Sequence, residues 1–433
     1  MHDITINSLA KEGYKIVKRQ KIIANRRKKR KSQIKLLFLS ILVLLGTTVW
    51  YMIKEKPEES KRFIASLTEN FQKEMDRESE SLQIVDNEVI NNAQYATGNY
   101  INVYNFIQTV NKVDNRGLKM NIGKDGYYQM TNNDDTCDFN ILQLTDLHLT
   151  GSEETYNSDI KALETVYTMI QRANPDLIVL TGDVIFGTDG YDVSDGMRAL
   201  NVVCRLMDRI GIPWIWSFGN HDHSFFDRFS NDSLAAMLAQ SATLKMYPAD
   251  ISSSGYSKGV FKLYNSNGSL SMGLIILDSG NEIVDDAGNV QGYDYIRDDQ
   301  VEWYAKEVGK LKEKYGSAAK TMLFFHIPLQ EYETAWEEGS PLFGTKREPV
   351  YDSEQKSRLF DRALELQSTV AMFCGHDHLN DYGIIYKGIE LVYSKSIDYI
   401  AYPGIDKTAE QRGATQIAID SSGAYSITQL QYE

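Results

Sequence analysis

Five of the seven histidines in this chain fall, in order, within short polar blocks that each follow an apolar run. The blocks are Asp146-Leu147-His148, Gly182-Asp183, Gly219-Asn220-His221-Asp222, His326 and Gly375-His376-Asp377-His378. The runs before them, at 139–144, 177–180, 214–218, 322–325 and 370–373, read as buried strands. A chain that gathers these blocks has few options: the strands lie in sheets and their ends meet at one edge. Imidazole and carboxylate groups gathered in this way hold two divalent cations for hydrolysis. In Asp146-x-His148 the alternation of an extended chain puts both side chains on one face. Gly182, Gly219 and Gly375 permit tight turns beside them. Taken singly, each block is an ordinary strand-end turn, and an isolated His326 is an ordinary core histidine. The ordered set carries the signal.

Helical periodicity at 158–172 and 197–210 falls between these strands, and such alternation argues for an α/β core with parallel pairing. Further strands are expected at Gly259–Tyr264, 272–277, Ile389–Tyr393 and 416–419, with a long helix near Asp298–Tyr315. Stretches 118–122 and 127–130 flank Gly123-Lys124-Asp125-Gly126 as a hairpin. Hairpin-like spacing elsewhere suggests two mixed sheets packed face to face with helices outside. No internal repeat or low-complexity tract breaks the pattern.

The amino-terminal end has a different character. Residues 36–53 are 18 consecutive residues without a charge, just long enough to span a bilayer as a helix. Trp50 and Tyr51 stand at its far end, and Arg26-Arg27-Lys28-Lys29-Arg30-Lys31 precedes it. The positive-inside rule places the basic side in the cytoplasm. No small-x-small cleavage site follows the apolar run, so an uncleaved signal anchor is favoured over a signal peptide. The expected organisation is a basic cytoplasmic tail at 1–33, a transmembrane anchor at 34–53, a helical stalk or linker at 54–116 and a catalytic domain at 117–433. The whole is a single-pass cell-membrane protein with its catalytic domain outside the cytoplasm. Apolar positions from Phe63 to Val89 recur at helical spacing and fit either self-association of a stalk or packing onto the catalytic domain.

The formal net charge of −13 is unevenly spread. Residues 1–53 carry 12 Lys/Arg against 2 Asp/Glu, leaving 34 against 57 in the remainder, a net of −23. An acidic bulk of that size repels nucleic-acid backbones, so no nucleic-acid partner is expected. Cys137, Cys204 and Cys374 show no CxxC spacing and suggest neither a zinc knuckle nor a disulfide framework.

On LQLTDLHL, LIVLTGDVIFG, GNHDH, FFHIPLQEY and CGHDHLND, the chain resembles the calcineurin-like metallophosphoesterase superfamily, most of all its purple-acid-phosphatase-like branch. The resemblance covers roughly 137–400. It implies a four-layer sandwich of two mixed sheets flanked by helices, with a dinuclear centre of Mn, Fe or Zn at one sheet edge. By that resemblance Asp146, His148 and His378 hold the first metal, Asn220, His326 and His376 hold the second, and Asp183 bridges both. His221 matches the position that protonates the leaving group, and Asp222 either orients it or caps a helix. Purple acid phosphatases carry a metal-binding tyrosine three residues after the bridging Asp, where this chain has Phe186. A tyrosinate–iron colour is therefore not expected. Tyr332 and Asn380, with Glu331 and Asp381, are expected to line the substrate cleft, while His223 either reaches a substrate phosphate or, the favoured reading, stands in solvent or behind the ligands.

The expected activity is hydrolysis of a small phosphorylated substrate by in-line attack of a metal-bridging hydroxide. A phosphodiesterase or pyrophosphatase with the same centre is the alternative within the chemistry. A non-catalytic metal-containing binding or sensor module is the alternative outside it.

Overall fold

The computed structural model describes residues 96–187, 191–247, 254–285 and 290–432. They belong to one compact unit, Val89–Glu433. The basic tail, the anchor segment and the stalk as far as residue 95 lie outside the described residues. No described helix is long and apolar enough to cross a membrane.

Along the chain the strands begin with β1 (Asn121–Ile122), β2 (Tyr128–Thr131), β3 (Phe139–Leu144), β4 (Leu177–Thr181) and β5 (Trp214–Ser217). They continue with β6 (Gly259–Tyr264), β7 (Leu270–Ile276), β8 (Glu282–Val284), β9 (Val290–Tyr293), β10 (Thr321–Phe324) and β11 (Pro341–Phe343). The last are β12 (Thr369–Cys374), β13 (Gly383–Tyr386), β14 (Ile389–Tyr393), β15 (Gly413–Ile419) and β16 (Tyr425–Gln431). The helices are α1 (Ile101–Thr109), α2 (Tyr156–Ala173), α3 (Val193–Ile210), α4 (Asn220–Phe226), α5 (Asn231–Leu238), α6 (Asp298–Tyr315), α7 (Glu331–Glu338) and α8 (Leu359–Leu366).

Two mixed sheets carry the fold. One has the order β16-β15-β3-β4-β5 and the other β1-β2-β6-β7-β10-β12-β14-β13-β11. Strands β3, β4 and β5 run parallel, as do β7, β10, β12 and β14. Strand alternation divides the apolar residues between two faces. Ile141, Val179 and Ile215 of the first sheet meet Leu274, Phe324 and Phe373 of the second in one buried cluster between them. Leu142, Leu180 and Trp216 point the other way, onto Val103, Leu163 and Val203 of α1, α2 and α3. On the far side, Leu323, Met372 and Leu391 pack on Tyr304, Tyr332 and Phe360 of α6, α7 and α8. Four layers result: helices, sheet, sheet, helices.

Local signals explain the long helices. Asp192 and Asp195 form a reciprocal cap at the start of α3, and Gly211 closes it in the left-handed conformation. Asp298 and Asp299 open α6 while Lys312 and Lys314 end it, which suits the helix dipole.

Helix α1 lies in the segment expected as a stalk or linker. Helix α1 belongs to the catalytic unit: Tyr100 and Val103 are fully buried, and α1 packs on α2 and α3. The Tyr100 hydroxyl donates to Asp159 Oδ2 at 2.7 Å and the Tyr104 hydroxyl to Asn201 Oδ1 at 2.9 Å. The expected hairpin is present as β1 and β2, but β2 then pairs in parallel with β6. Helices α4, α5, α7 and α8 were not expected, because each is at most eight residues long and shows little more than two turns of periodicity.

Candidate metal centre

Every expected ligand stands just beyond the carboxyl end of a strand, the edge at which α/β sheets collect their sites. Asp146 and His148 follow β3, Asp183 follows β4, Asn220 opens α4 after β5, His326 follows β10, and His376 and His378 follow β12. Four of these residues hold left-handed backbone: Asp146 (φ 55°), His148 (49°), Asp183 (50°) and His376 (78°). Such conformations are costly for residues with a Cβ and persist where the surroundings fix them. Here the fixing bonds are visible. His148 N–H donates to Asp183 O at 2.9 Å, Asp146 N–H to Gly182 O at 3.1 Å, and His221 N–H to Asp183 Oδ1 at 2.9 Å. A Cβ at Gly219 would strike the Asp183 carboxylate, so only glycine lets these two loops approach.

The donor atoms converge. Asp146, His148 and His378 offer ligand atoms within 4.8 Å of one another, and so do Asp183, His326 and His376. A third such group, His148, Asp183 and His221, shares His148 with the first and Asp183 with the second. Asp183 Oδ2 lies 3.4 Å from His148 Nε2, 3.1 Å from His326 Nε2 and 3.9 Å from His221 Nε2. Hydrogen bonds select which ring nitrogen is free. His326 Nδ1 bonds the Thr181 carbonyl at 2.8 Å, which leaves Nε2 facing Asp183. His378 Nδ1 bonds Asp398 Oδ2 at 2.9 Å, which turns Nε2 toward Asp146 Oδ1 at 3.4 Å. A carboxylate behind an imidazole in this way fixes its tautomer and strengthens it as a donor.

The set also passes a test of fit. Asp146 Oδ1, His148 Nε2 and Asn220 Oδ1 are buried and lack a hydrogen-bond partner. Buried acceptors without partners are costly unless something electropositive meets them. Nitrogen and oxygen donors of this kind suit Mn, Fe or Zn. Charge is balanced within the cluster itself. Burial opposes ionisation of Asp183, yet His326 and His221 pull its carboxyl well below the usual range. Burial likewise disfavours a charged His326, but Asp183 lifts it to about 9. Burial and the nearby His326 hold His376 down at about 3.

His221 differs from the other histidines of the cluster in being partly open, with 17% of its side chain exposed. It faces the cleft. Phe186 packs against it at 4.9 Å and against His148 at 5.1 Å between ring centroids. A phenyl ring there offers no ligand atom.

Several expected cleft residues are elsewhere. Asp222 does not reach the His221 ring: its carboxylate accepts from Val184 N, Ile185 N, Gly219 N and Trp216 Nε1 at 2.9–3.2 Å. It ties the loops after β4 and β5 together. His223 is buried, with Nε2 on Asp278 Oδ1 at 2.7 Å and Nδ1 on Asp227 Oδ1 at 3.3 Å. Tyr332 is fully buried in the core beneath α7, its hydroxyl donating to Met372 O. Asn380 is also fully buried, with Oδ1 accepting from Arg347 N and Glu348 N. Asp381 pairs with Lys395 and Arg347, and Glu331 with Lys356. Adjacency in sequence suggests these residues for the site, but their polar groups are engaged in the contacts above, and for Asp222 the alternative of a helix cap is the one present.

Residues that the sequence did not single out take their place. Asp398 stands behind His378. Tyr402 stacks on His378 with ring centroids 4.4 Å apart and planes 11° apart. Tyr293 meets His376 edge-on, also at 4.4 Å. All three arrive from short strands or loops with no periodic signal.

Two mixed sheets bring nitrogen and oxygen donors from their strand ends into one buried cluster that could hold metal ions at a sheet edge. A family model described as calcineurin-like phosphoesterase matches residues 139–380, more than half of the chain, and the chain belongs to that family. Among its relatives is an Arabidopsis thaliana protein named probable inactive purple acid phosphatase 29, 27% identical over 65% of this chain and 77% of the plant protein. Another is the Saccharomyces cerevisiae protein named phosphatase DCR2, 31% identical over 56% of this chain and 44% of the yeast protein. Among solved structures, a dimetal phosphatase from Danio rerio is similar over 69% of this chain and all of its own, with 14% identity and a TM-score of 0.45.

Proposed function

We propose that this chain is a metal-dependent phosphoric ester hydrolase, tied to a cell membrane by its amino-terminal apolar segment with the catalytic unit outside the cytoplasm. The observation that carries the reading is three overlapping groups of donor residues, linked through His148 and Asp183, with Asp146 Oδ1, His148 Nε2 and Asn220 Oδ1 buried and unpartnered. Asp146, His148 and His378 would hold one ion and Asn220, His326 and His376 the other, with Asp183 shared. Bound cations supply neutralisation of phosphoryl charge and activation of water at neutral pH. Asp183 sets the spacing of the two halves, and Asp398 and the Thr181 carbonyl keep His378 and His326 in their working tautomers. His221, whose ring is partly exposed, is our candidate to contact the phosphoryl group and, when protonated, to give a proton to the departing oxygen.

Because some relatives carry names that mark them as inactive, the second reading is a binding module with the same centre and no turnover. A hydrolysis screen separates the two. The chain is assayed against p-nitrophenyl phosphate, its bis-ester and nucleoside diphosphates, with Mn, Zn or Fe and with chelator. Turnover that the chelator abolishes is the expected result. Absence of turnover with every cation supports the binding module, and preference for the bis-ester makes the enzyme a phosphodiesterase.

A further inference from the structure

Two walls overhang the ligand histidines, and both pair a carboxylate with a phenol. The first is the β8–β9 hairpin. Glu282 lies directly opposite Tyr293 in its antiparallel register, which puts the two side chains on the same face. That face contains the Tyr293 ring that meets His376 at 4.4 Å, so Glu282 also faces the centre. Its carboxyl is near enough to Asp183 to feel that charge.

The second wall is formed by the segment before α8 and by the loop after β14. Glu348 Oε1 accepts the N–H of Leu379, the residue next to His378, at 2.6 Å. Asn380 Oδ1 in turn accepts Glu348 N–H at 3.2 Å, which fixes this carboxylate beside the ligand loop. Tyr402, stacked on His378, lies within electrostatic range of both Glu348 and Tyr293. The cations on the same loops are already held: Arg347 and Lys395 by Asp381, and Arg297 by Asp294.

Carboxylates beside aromatic rings are the surroundings that an ammonium group prefers and that a second phosphate avoids. We propose that Glu282 with Tyr293 and Glu348 with Tyr402 are specificity-determining residues. They select phosphate monoesters of positively charged alcohols, of the amino or quaternary ammonium type, over neutral esters and polyphosphates. This inference rests on the phosphoesterase reading. It adds the leaving group: the phosphoryl group meets the metal centre, and the alcohol side meets the acidic and phenolic walls.

Steady-state kinetics on the full chain with excess manganese(II) test it, using phosphocholine, glycerol 1-phosphate and ADP as probes. The expected kcat/KM falls in that order, with phosphocholine ahead of glycerol 1-phosphate by about tenfold. In the double variant Glu282→Gln with Glu348→Gln, the ratio between those two esters should collapse to within about twofold, chiefly through KM for phosphocholine. Glutamine at 348 keeps an acceptor for Leu379 N–H, and general damage to the fold would lower both esters together and leave the ratio unchanged. Equal use of the three substrates, a preference for ADP, or a preference for phosphocholine that survives in the double variant overturns the proposal. Failure to hydrolyse any ester under any metal condition removes the phosphoesterase reading, and this inference with it.

Discussion

His221 and Asp222 are neighbours with opposite environments, and their substitutions should separate chemistry from architecture. The His221 ring is partly open and stands 3.9 Å from Asp183. Removing it as His221→Ala should slow hydrolysis of an alkyl phosphate by about 10²–10⁴-fold, the usual worth of a positioned acid. An aryl phosphate, whose leaving group needs little help, should lose much less. Comparable losses on both esters contradict the acid role. Asp222 is fully buried and accepts four hydrogen bonds that join two ligand loops. Asp222→Ala leaves those donors unpaired and should cost at least about 3 kcal/mol in denaturant unfolding. An unchanged midpoint with lost activity would instead point to a direct chemical role. The contrast also shows why the ligand histidines were legible in the sequence while Tyr332 and Asn380 were misplaced. A ligand just past a buried strand is located by the strand itself. A residue six positions further on is located by the next turn, and α7 turns Tyr332 back into the core.

Among the elements, the pairing of α1 with α2 holds the amino-terminal side of the catalytic unit against the loop after β3. Asp159, in the first turn of α2, accepts from Thr150 N and Gly151 N at 2.9 Å and from the Tyr100 hydroxyl at 2.7 Å. Burial nevertheless dominates and pushes its carboxyl up to about 6. The folded chain therefore binds a proton at Asp159 more readily than the unfolded chain does. That contribution is present in full below the ordinary carboxylate range, near pH 4, and is lost as pH rises through about 6. Asp159→Asn has nothing to titrate at this position. The stability of the wild type relative to this variant should fall by roughly 1–3 kcal/mol between pH 4 and pH 7, measured by urea unfolding. A difference that stays flat or rises with pH is incompatible with a carboxyl held up by burial. Helix α1 also marks where sequence reading stopped short. Its nine residues follow a polar stretch, and its apolar positions Val103, Tyr104 and Ile107 make sense only once α2 and α3 are there to cover them. Strands β4, β10 and β12 were legible because each is a largely apolar, buried run, whereas β11, β13 and β16, each with exposed positions, were not expected. The β8–β9 hairpin was not, since Ile283, Val284 and Val290 are exposed and no core dictates their pattern.

For the whole molecule, the two sheets bring to one edge residues separated by more than two hundred positions, from Asp146 to His378 and Asp398. Neither sheet carries a complete donor set. Asp146, His148, Asp183 and Asn220 come from the five-stranded sheet, while His326, His376 and His378 come from the nine-stranded one. A metal centre built from both sets would bridge the two sheets. The most direct test is the metal content of the purified full chain and of Asp183→Ala by elemental mass spectrometry, alongside hydrolysis of p-nitrophenyl phosphate. The wild type should carry about two transition-metal ions per chain, and the variant about one or fewer with turnover lost. A wild type that binds no metal, or an Asp183→Ala protein that keeps both ions and full activity, would contradict a shared carboxylate at the heart of this site.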